Sequence, residues 1–85
     1  MAERKVTVVA EVGLHARPAA TFVQAATKSA IEVTVEKVGG SPVNAKSILS
    51  VMGLDIRQGE TIVIRGEGEG AEELLDELAK IASAP

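Results

Sequence analysis

The sequence contains no cysteine, tryptophan or tyrosine, one phenylalanine and one histidine. Without cysteine there are no disulfides and no thiolate chemistry, which suits a reducing compartment. A zinc cluster would have only carboxylates to add to a single His, so no metal is expected. With one aromatic residue and a formal charge of −3, the chain lacks the stacking platforms and positive charge of a nucleic-acid binder. No apolar run approaches the roughly 20 residues of a membrane span, and the opening MAERKVTVVAEV holds no stretch of signal-peptide type. The expectation is a soluble cytoplasmic protein that neither binds nucleic acid nor inserts into a membrane.

What is present is aliphatic. Apolar residues make up 46% of the 85, nearly all Ala, Val, Ile and Leu, which is enough for one small core. Residues 1–85 therefore read as a single domain near the lower limit of unaided folding. Lys5 to Ala10 is valine-rich and predicts a strand with Val6 and Val8 on one face. After Gly13 the period changes. Ala19, Phe22, Val23 and Ala26 form the stripe of a helix from about Ala16 to Thr27 or Lys28, and Pro18 is tolerated in its first turn. Ile31 to Val38 alternates as a strand with Ile31, Val33 and Val35 inward; Gly39-Gly40 turns it, and Ser41 to Asn44 returns as a short strand.

Ser47 opens a short helix as an N-cap candidate, with Ile48, Val51 and Met52 at helical spacing and Gly53 as its close. Glu60 to Arg65 predicts a strand with Ile62 and Ile64 on one face, and Gly66 to Gly70 a loop. The last helix carries Ala71, Leu74, Leu75, Leu78, Ile81 and Ala82 on one face, with acids early and Lys80 late, as the helix dipole favours. The order β-α-β-β-α-β-α with one-sided strands implies an α+β open-faced β-sandwich. Its four-stranded antiparallel sheet would be covered on one face by three helices.

His15 falls at or just before the start of the first helix, where unpaired N–H groups and the dipole offer an anion site. Arg17 stands two residues on and suits bidentate contact with phosphate oxygens. A neutral imidazole nitrogen there can attack a phosphoryl group, and the same positive surroundings would hold the product. The spacing permits this chemistry without demanding it, since a lone His is more often an ordinary polar residue.

GLHARPA, Gly13 to Ala19, resembles the active-site signature of the HPr family, the histidine phosphocarriers of the sugar phosphotransferase system. NAKSILSVMGL, Asn44 to Leu54, is similar to that family's regulatory-serine segment, with Lys46-Ser47 in register. Chain length and element order agree with both. The resemblance implies that His15 is phosphorylated through Nδ1 and that Arg17 holds the phosphoryl oxygens, with the backbone N–H groups of Ala16 and Arg17 nearby. The donor would be phosphorylated enzyme I, charged from phosphoenolpyruvate, and the acceptors the IIA domains of sugar permeases. The protein would be a transfer intermediate rather than a free-standing enzyme, without metal or cofactor. Repeated exchange between partners favours a monomer.

Ile48, Leu49 and Met52 are the docking candidates. Leu49 falls off the Ile48-Val51-Met52 face, which favours its exposure, whereas Ile48 and Met52 suit a core equally well. Phe22 lies on the buried stripe and reads as structural. The resemblance also makes Ser47, beyond its capping role, a target for a serine kinase, after which the protein would engage a transcription regulator. Ser50 and Asp55 stand where many members carry glycine, and Val12 where a small polar residue is common, so those contacts depart from the family pattern. Two other readings stay open: a related carrier in a nitrogen or dihydroxyacetone-kinase relay, and a module that senses an anion at the Gly13–Pro18 segment without a covalent step. A purely structural or interaction protein fits two matched motifs least well.

Overall fold

A computed structural model describes residues 1–85. Four strands and three helices follow one another as β1 (Ala2–Thr7), α1 (Ala16–Thr27), β2 (Glu32–Lys37), β3 (Val43–Asn44), α2 (Ile48–Gly53), β4 (Thr61–Glu67) and α3 (Ala71–Ser83). The sheet order is β1-β4-β2-β3 and every pairing is antiparallel. Helix α3 lies across β1 and β4, α1 packs beside α3, and α2 rests against α1 and β3. This is the open-faced α+β sandwich expected from the alternation.

The inward residues are those the two periodicities select. Val6, Val33, Val35, Ile62 and Ile64 from the strands meet Phe22 and Ala26 of α1 and Leu74, Leu75 and Leu78 of α3 in one core. Phe22 is fully buried, so it is a core residue and not a docking contact. Val51 alone of α2 is buried, whereas Ile48 and Met52 are exposed. The helical spacing that also suited them to the core therefore overstated the buried face of a helix of only six residues.

Beyond the trimming of β2 from Ile31–Val38 to Glu32–Lys37, three boundaries differ from expectation. The first strand is not Lys5–Ala10 but Ala2–Thr7, because β4 extends to Glu67 and pairs Ala2 with Gly66 and Glu3 with Arg65. Arg4, facing the helices, is satisfied by Glu72 at 2.6 Å and Asp76 at 2.8 Å on α3. Val8 still points inward and exchanges backbone hydrogen bonds with Glu60 and Gly59, after which the chain leaves the sheet. Gly66 and Glu67, expected in a loop, belong to β4: it is a central strand whose neighbours bond Gly66 from both sides. The return strand is trimmed from Ser41–Asn44 to Val43–Asn44, in keeping with Pro42, which has no N–H to contribute.

Helix α2 also ends later than its glycine suggested. Gly53 remains helical, Leu54 is the C-cap, and the left-handed residue just beyond is Asp55, with φ +51° and its N–H bonded to the Met52 carbonyl at 3.1 Å. A left-handed residue at this position is the usual way to end a helix, and glycine is its usual occupant. Aspartate is one of the few other residues that accepts it.

Candidate functional site

Two loops are laid side by side at one end of the sheet, and His15 stands where they meet. The segment after β1 is stitched to the segment before β4 by the Gly59 N–H to the Val8 carbonyl at 2.7 Å and the Leu14 N–H to the Ile56 carbonyl at 2.9 Å. The Gln58 side chain adds a bond to the Val9 carbonyl. Gly13 has φ +69°, and a Cβ there would lie 2.2 Å from the Ile56 carbonyl oxygen. The glycine before the histidine is therefore a requirement of close backbone approach. Leu14 and Ile56, 1% and 0% exposed, anchor the two loops in the core.

His15 is the N-cap of α1, with extended backbone and no side-chain capping bond, so its ring is left free of the helix. Its side chain is 30% exposed. Ala16, the next residue, has φ +51°, a left-handed conformation that costs an alanine about 1–2 kcal/mol. Pro18 brings no N–H, and the Ala19 N–H reaches the His15 carbonyl at 3.4 Å. The unpaired donors at the start of α1 are thus the N–H groups of Ala16 and Arg17. Arg17 is exposed and enters no ion pair. One helix start therefore offers an accessible imidazole, two free N–H groups, the positive end of a dipole and an unpaired guanidinium.

The loop beyond α2 adds a group that the sequence analysis did not place here. His15 Nε2 lies 3.3 Å from Asp55 Oδ1. The other carboxylate oxygen of Asp55 accepts from Arg57 Nε at 3.2 Å and from the terminal guanidinium nitrogen at 3.0 Å. These bonds, before any other influence, hold the Asp55 carboxyl below its usual value, with smaller contributions from His15 and Lys37. Glu60 is lowered as well, first because it accepts the Arg57 backbone N–H and then through Lys37. Lys37 in turn reaches the Asp55 carbonyl at 3.0 Å and Glu60 at 3.4 Å. Asp55 is thereby fixed as a charged group beside the ring. In the sequence Asp55 showed only as a departure from a usual glycine, which gives no distance between side chains.

Helix α2 supplies an apolar apron. Leu49 is 81% exposed, and Ile48, Met52 and, from the loop before α1, Val12 are exposed as well. Ser47 caps α2 by accepting the Ser50 N–H at 3.3 Å, as expected of an N-cap. It sits at the far end of α2 from Asp55, about 9 Å along the helix axis. No group of three or more His, Cys, Asp or Glu is arranged to hold a metal ion. No helix is long and apolar enough to cross a membrane.

Comparison with known proteins decides the family. Residues 2–84 match the family model described as the phosphotransferase-system HPr component phosphorylation site. The chain belongs to the HPr family. It is similar to the phosphocarrier protein HPr of Streptomyces coelicolor, 53% identical over 83 residues that span 98% of this chain and 89% of that one. It also resembles the HPr-like protein Crh of Halalkalibacterium halodurans, 45% identical over 92% of each chain. Among solved structures, an HPr from Bacillus anthracis superposes with a TM-score of 0.90 at 44% identity, covering 96% of both chains. An HPr dimer from Thermoanaerobacter tengcongensis matches with a TM-score of 0.72 at 41% identity, covering 95% of this chain and 92% of that one. The HPr fold, a four-stranded antiparallel open sheet with three helices, is the one described above.

Proposed function

We propose that this protein is a phosphohistidine carrier whose His15 accepts a phosphoryl group at Nδ1 from phosphorylated enzyme I and passes it to the IIA domains of sugar permeases. The whole of residues 1–85 acts as one phosphocarrier domain. The observation that carries the reading is the start of α1, where an accessible His15, the free N–H groups of Ala16 and Arg17 and the unpaired Arg17 side chain converge in a member of the HPr family. Phosphoryl transfer is largely positioning and charge stabilisation, so a small scaffold needs no cofactor for it. Arg17 and the two N–H groups neutralise the phosphoryl oxygens. Leu49, Ile48 and Met52 form the apolar surface against which donor and acceptor dock in turn, each as a transient partner of the monomer.

Ser47 adds a second layer. Ser47 is half-buried at the start of α2, next in sequence to the docking residues Ile48 and Leu49. A serine kinase acting there would put up to two negative charges on the docking surface without asking the fold to change. That would weaken exchange with phosphotransferase partners and present a new face to a transcription regulator.

The test is intact mass after incubation with phosphoenolpyruvate, magnesium and an active cognate enzyme I, with His15→Gln in parallel. Gain of one acid-labile phosphate by the wild type alone is expected. Absence of any gain would overturn the carrier in favour of reversible anion binding at the same helix start.

A further inference from the structure

Asp55 is the one charged side chain in ion-pair contact with the His15 ring, and it is held there from three directions. Its backbone is pinned by the end of α2, where the Asp55 N–H bonds the Met52 carbonyl. Its carbonyl accepts from Lys37, and its second carboxylate oxygen accepts from Arg57. What remains is Oδ1, turned to His15 Nε2 at 3.3 Å. The two positive-φ residues other than glycine are Asp55 itself and Ala16, which follows His15 at the start of α1. Strained backbone at one partner of a side-chain contact and next to the other points to a geometry the fold is built to hold.

We propose that Asp55 is a positioning residue for the histidine: it takes the Nε2–H of the neutral imidazole and so leaves the Nδ1 lone pair as the nucleophile. The proposal rests on the phosphocarrier reading. Which ring nitrogen bears the proton is set by the bond the other partner makes, and a carboxylate can only accept. At 3.3 Å the two atoms are in ion-pair reach without forming an aligned hydrogen bond. On this proposal the ring turns so that Nε2–H meets Oδ1 at the roughly 2.7–2.9 Å of a charge-assisted bond when the reacting group arrives.

The transfer then balances without a proton leaving the ring. Nδ1 donates its lone pair to the phosphorus of the donor's phosphohistidine. The donor's P–N bond breaks, and its electron pair stays on the donor nitrogen. His15 leaves the step as a phosphoimidazolium that still carries its Nε2 proton. The ring's new positive charge lies beside the Asp55 carboxylate, while the phosphoryl oxygens face Arg17 and the N–H groups of Ala16 and Arg17. Opposite charges of the product are thus met on opposite edges of one ring. In the onward transfer the same arrangement runs backwards.

The experiment is long-range proton–nitrogen NMR of protein labelled in the His15 ring, at a pH where the ring is neutral, joined to the rate of phosphorylation by phosphorylated enzyme I. Asp55→Gly removes the carboxylate and suits φ +51°, so the loop keeps its path. Asp55→Asn keeps an acceptor oxygen without the charge and also tolerates that backbone. The expected result is an Nε2–H tautomer in the wild type, with a several-fold gain of the Nδ1–H form in Asp55→Gly. Phosphorylation of that variant should be about tenfold slower, the worth of one hydrogen bond to a charged group, with Asp55→Asn between.

Gln58→Ala serves as the spectroscopic control, since it removes a bond that stitches the two loops and leaves every Asp55 contact in place. An unchanged tautomer and rate in Asp55→Gly would overturn the assignment to Asp55 alone. A tautomer shift in Gln58→Ala as large as in Asp55→Gly would also overturn it, by assigning the effect to the loop. Failure of the wild type to take up phosphate from active cognate enzyme I would instead remove the carrier reading and the proposal with it.

Discussion

Replacing Gly13 with alanine separates the part of the site that is backbone from the part that is side chain. The new Cβ would fall 2.2 Å from the Ile56 carbonyl oxygen and 2.9 Å from the Arg57 Cα, both backbone atoms that cannot swing aside. Ordinary contact begins at 3.4 Å, so the two loops must part by about 1 Å. Alanine at φ +69° costs about 1–2 kcal/mol by itself. Parting the loops weakens the Leu14 N–H bond to Ile56, which leaves a buried amide poorly satisfied for a further ~1–3 kcal/mol. The expected loss is therefore about 2–5 kcal/mol. Gly39→Ala is the control, because Gly39 has φ +87° but nothing within 4 Å of an added Cβ. It should lose only the strain, about 1–2 kcal/mol. Urea unfolding of both variants measures the difference, and phosphorylation by enzyme I should slow in Gly13→Ala because His15 moves away from Asp55. Equal unfolding midpoints for the two variants would refute the claim that Gly13 is required by close approach.

Three further outcomes follow from the same geometry. Leu78→Ala, at a fully buried position of α3, should lose about 2–5 kcal/mol in chemical denaturation, and an unchanged midpoint would show that the core lies elsewhere. Arg17→Ala should leave the denaturation midpoint within ~0.5 kcal/mol of wild type, because Arg17 is exposed and unpaired. The same variant should slow phosphorylation by about ten- to a hundredfold, and unimpaired transfer would remove Arg17 from the site. Acid should weaken the loop network. The Asp55 and Glu60 carboxyls are lowered in the folded protein, so their contribution is present above the ordinary values of 3.8 and 4.5 and is lost as pH falls through the lower folded values. Wild type should therefore lose more of its midpoint on acidification than Arg57→Ala, which lacks the guanidinium that lowers Asp55 but keeps the backbone N–H that bonds Glu60; parallel curves would contradict that cause.

Legibility followed physical range. The core of α1 and α3 was readable because Phe22, Val23, Leu74, Leu75 and Leu78 repeat at the helical period, and a buried stripe leaves that trace in any amphipathic helix. Strand faces were readable for the same reason at period two. The first strand was not readable over Ala2–Arg4, because Glu3 and Arg4 look like a polar terminus until Arg65, Glu72 and Asp76 are brought to them across the fold. Gly66 and Glu67 failed likewise. Glycine weakens a strand locally, and only the neighbours on both sides restore it. The helix-start positions of His15, Arg17 and Ser47 were legible from local chemistry, and their proposed roles from family resemblance. Asp55 was visible only as a departure from a usual glycine. Its contact with His15 spans forty residues and depends on two loops meeting at Gly13 and Ile56.

That meeting also accounts for the surroundings of the lone histidine. Gly13 lets the chain pass against Ile56, Leu14 locks it into the core, and Pro18 starts α1 without adding a donor. Arg17 is then the guanidinium left over. Arg4 binds Glu72 and Asp76, Arg65 binds Glu3 and Glu36, and Arg57 binds Asp55, whereas Arg17 binds no carboxylate. A carrier must hold its phosphoryl group firmly enough to survive release from the donor and loosely enough to surrender it. A buried cluster of arginines would meet the first need and defeat the second. On the proposed function, one free guanidinium, two backbone N–H groups and a part-exposed ring would meet both. The anionic Asp55 would, on the same proposal, keep local positive charge from accumulating at the opposite edge of the ring. On this account a second arginine introduced beside Arg17 should speed loading and slow unloading, so that net transfer falls although phosphate is bound more tightly.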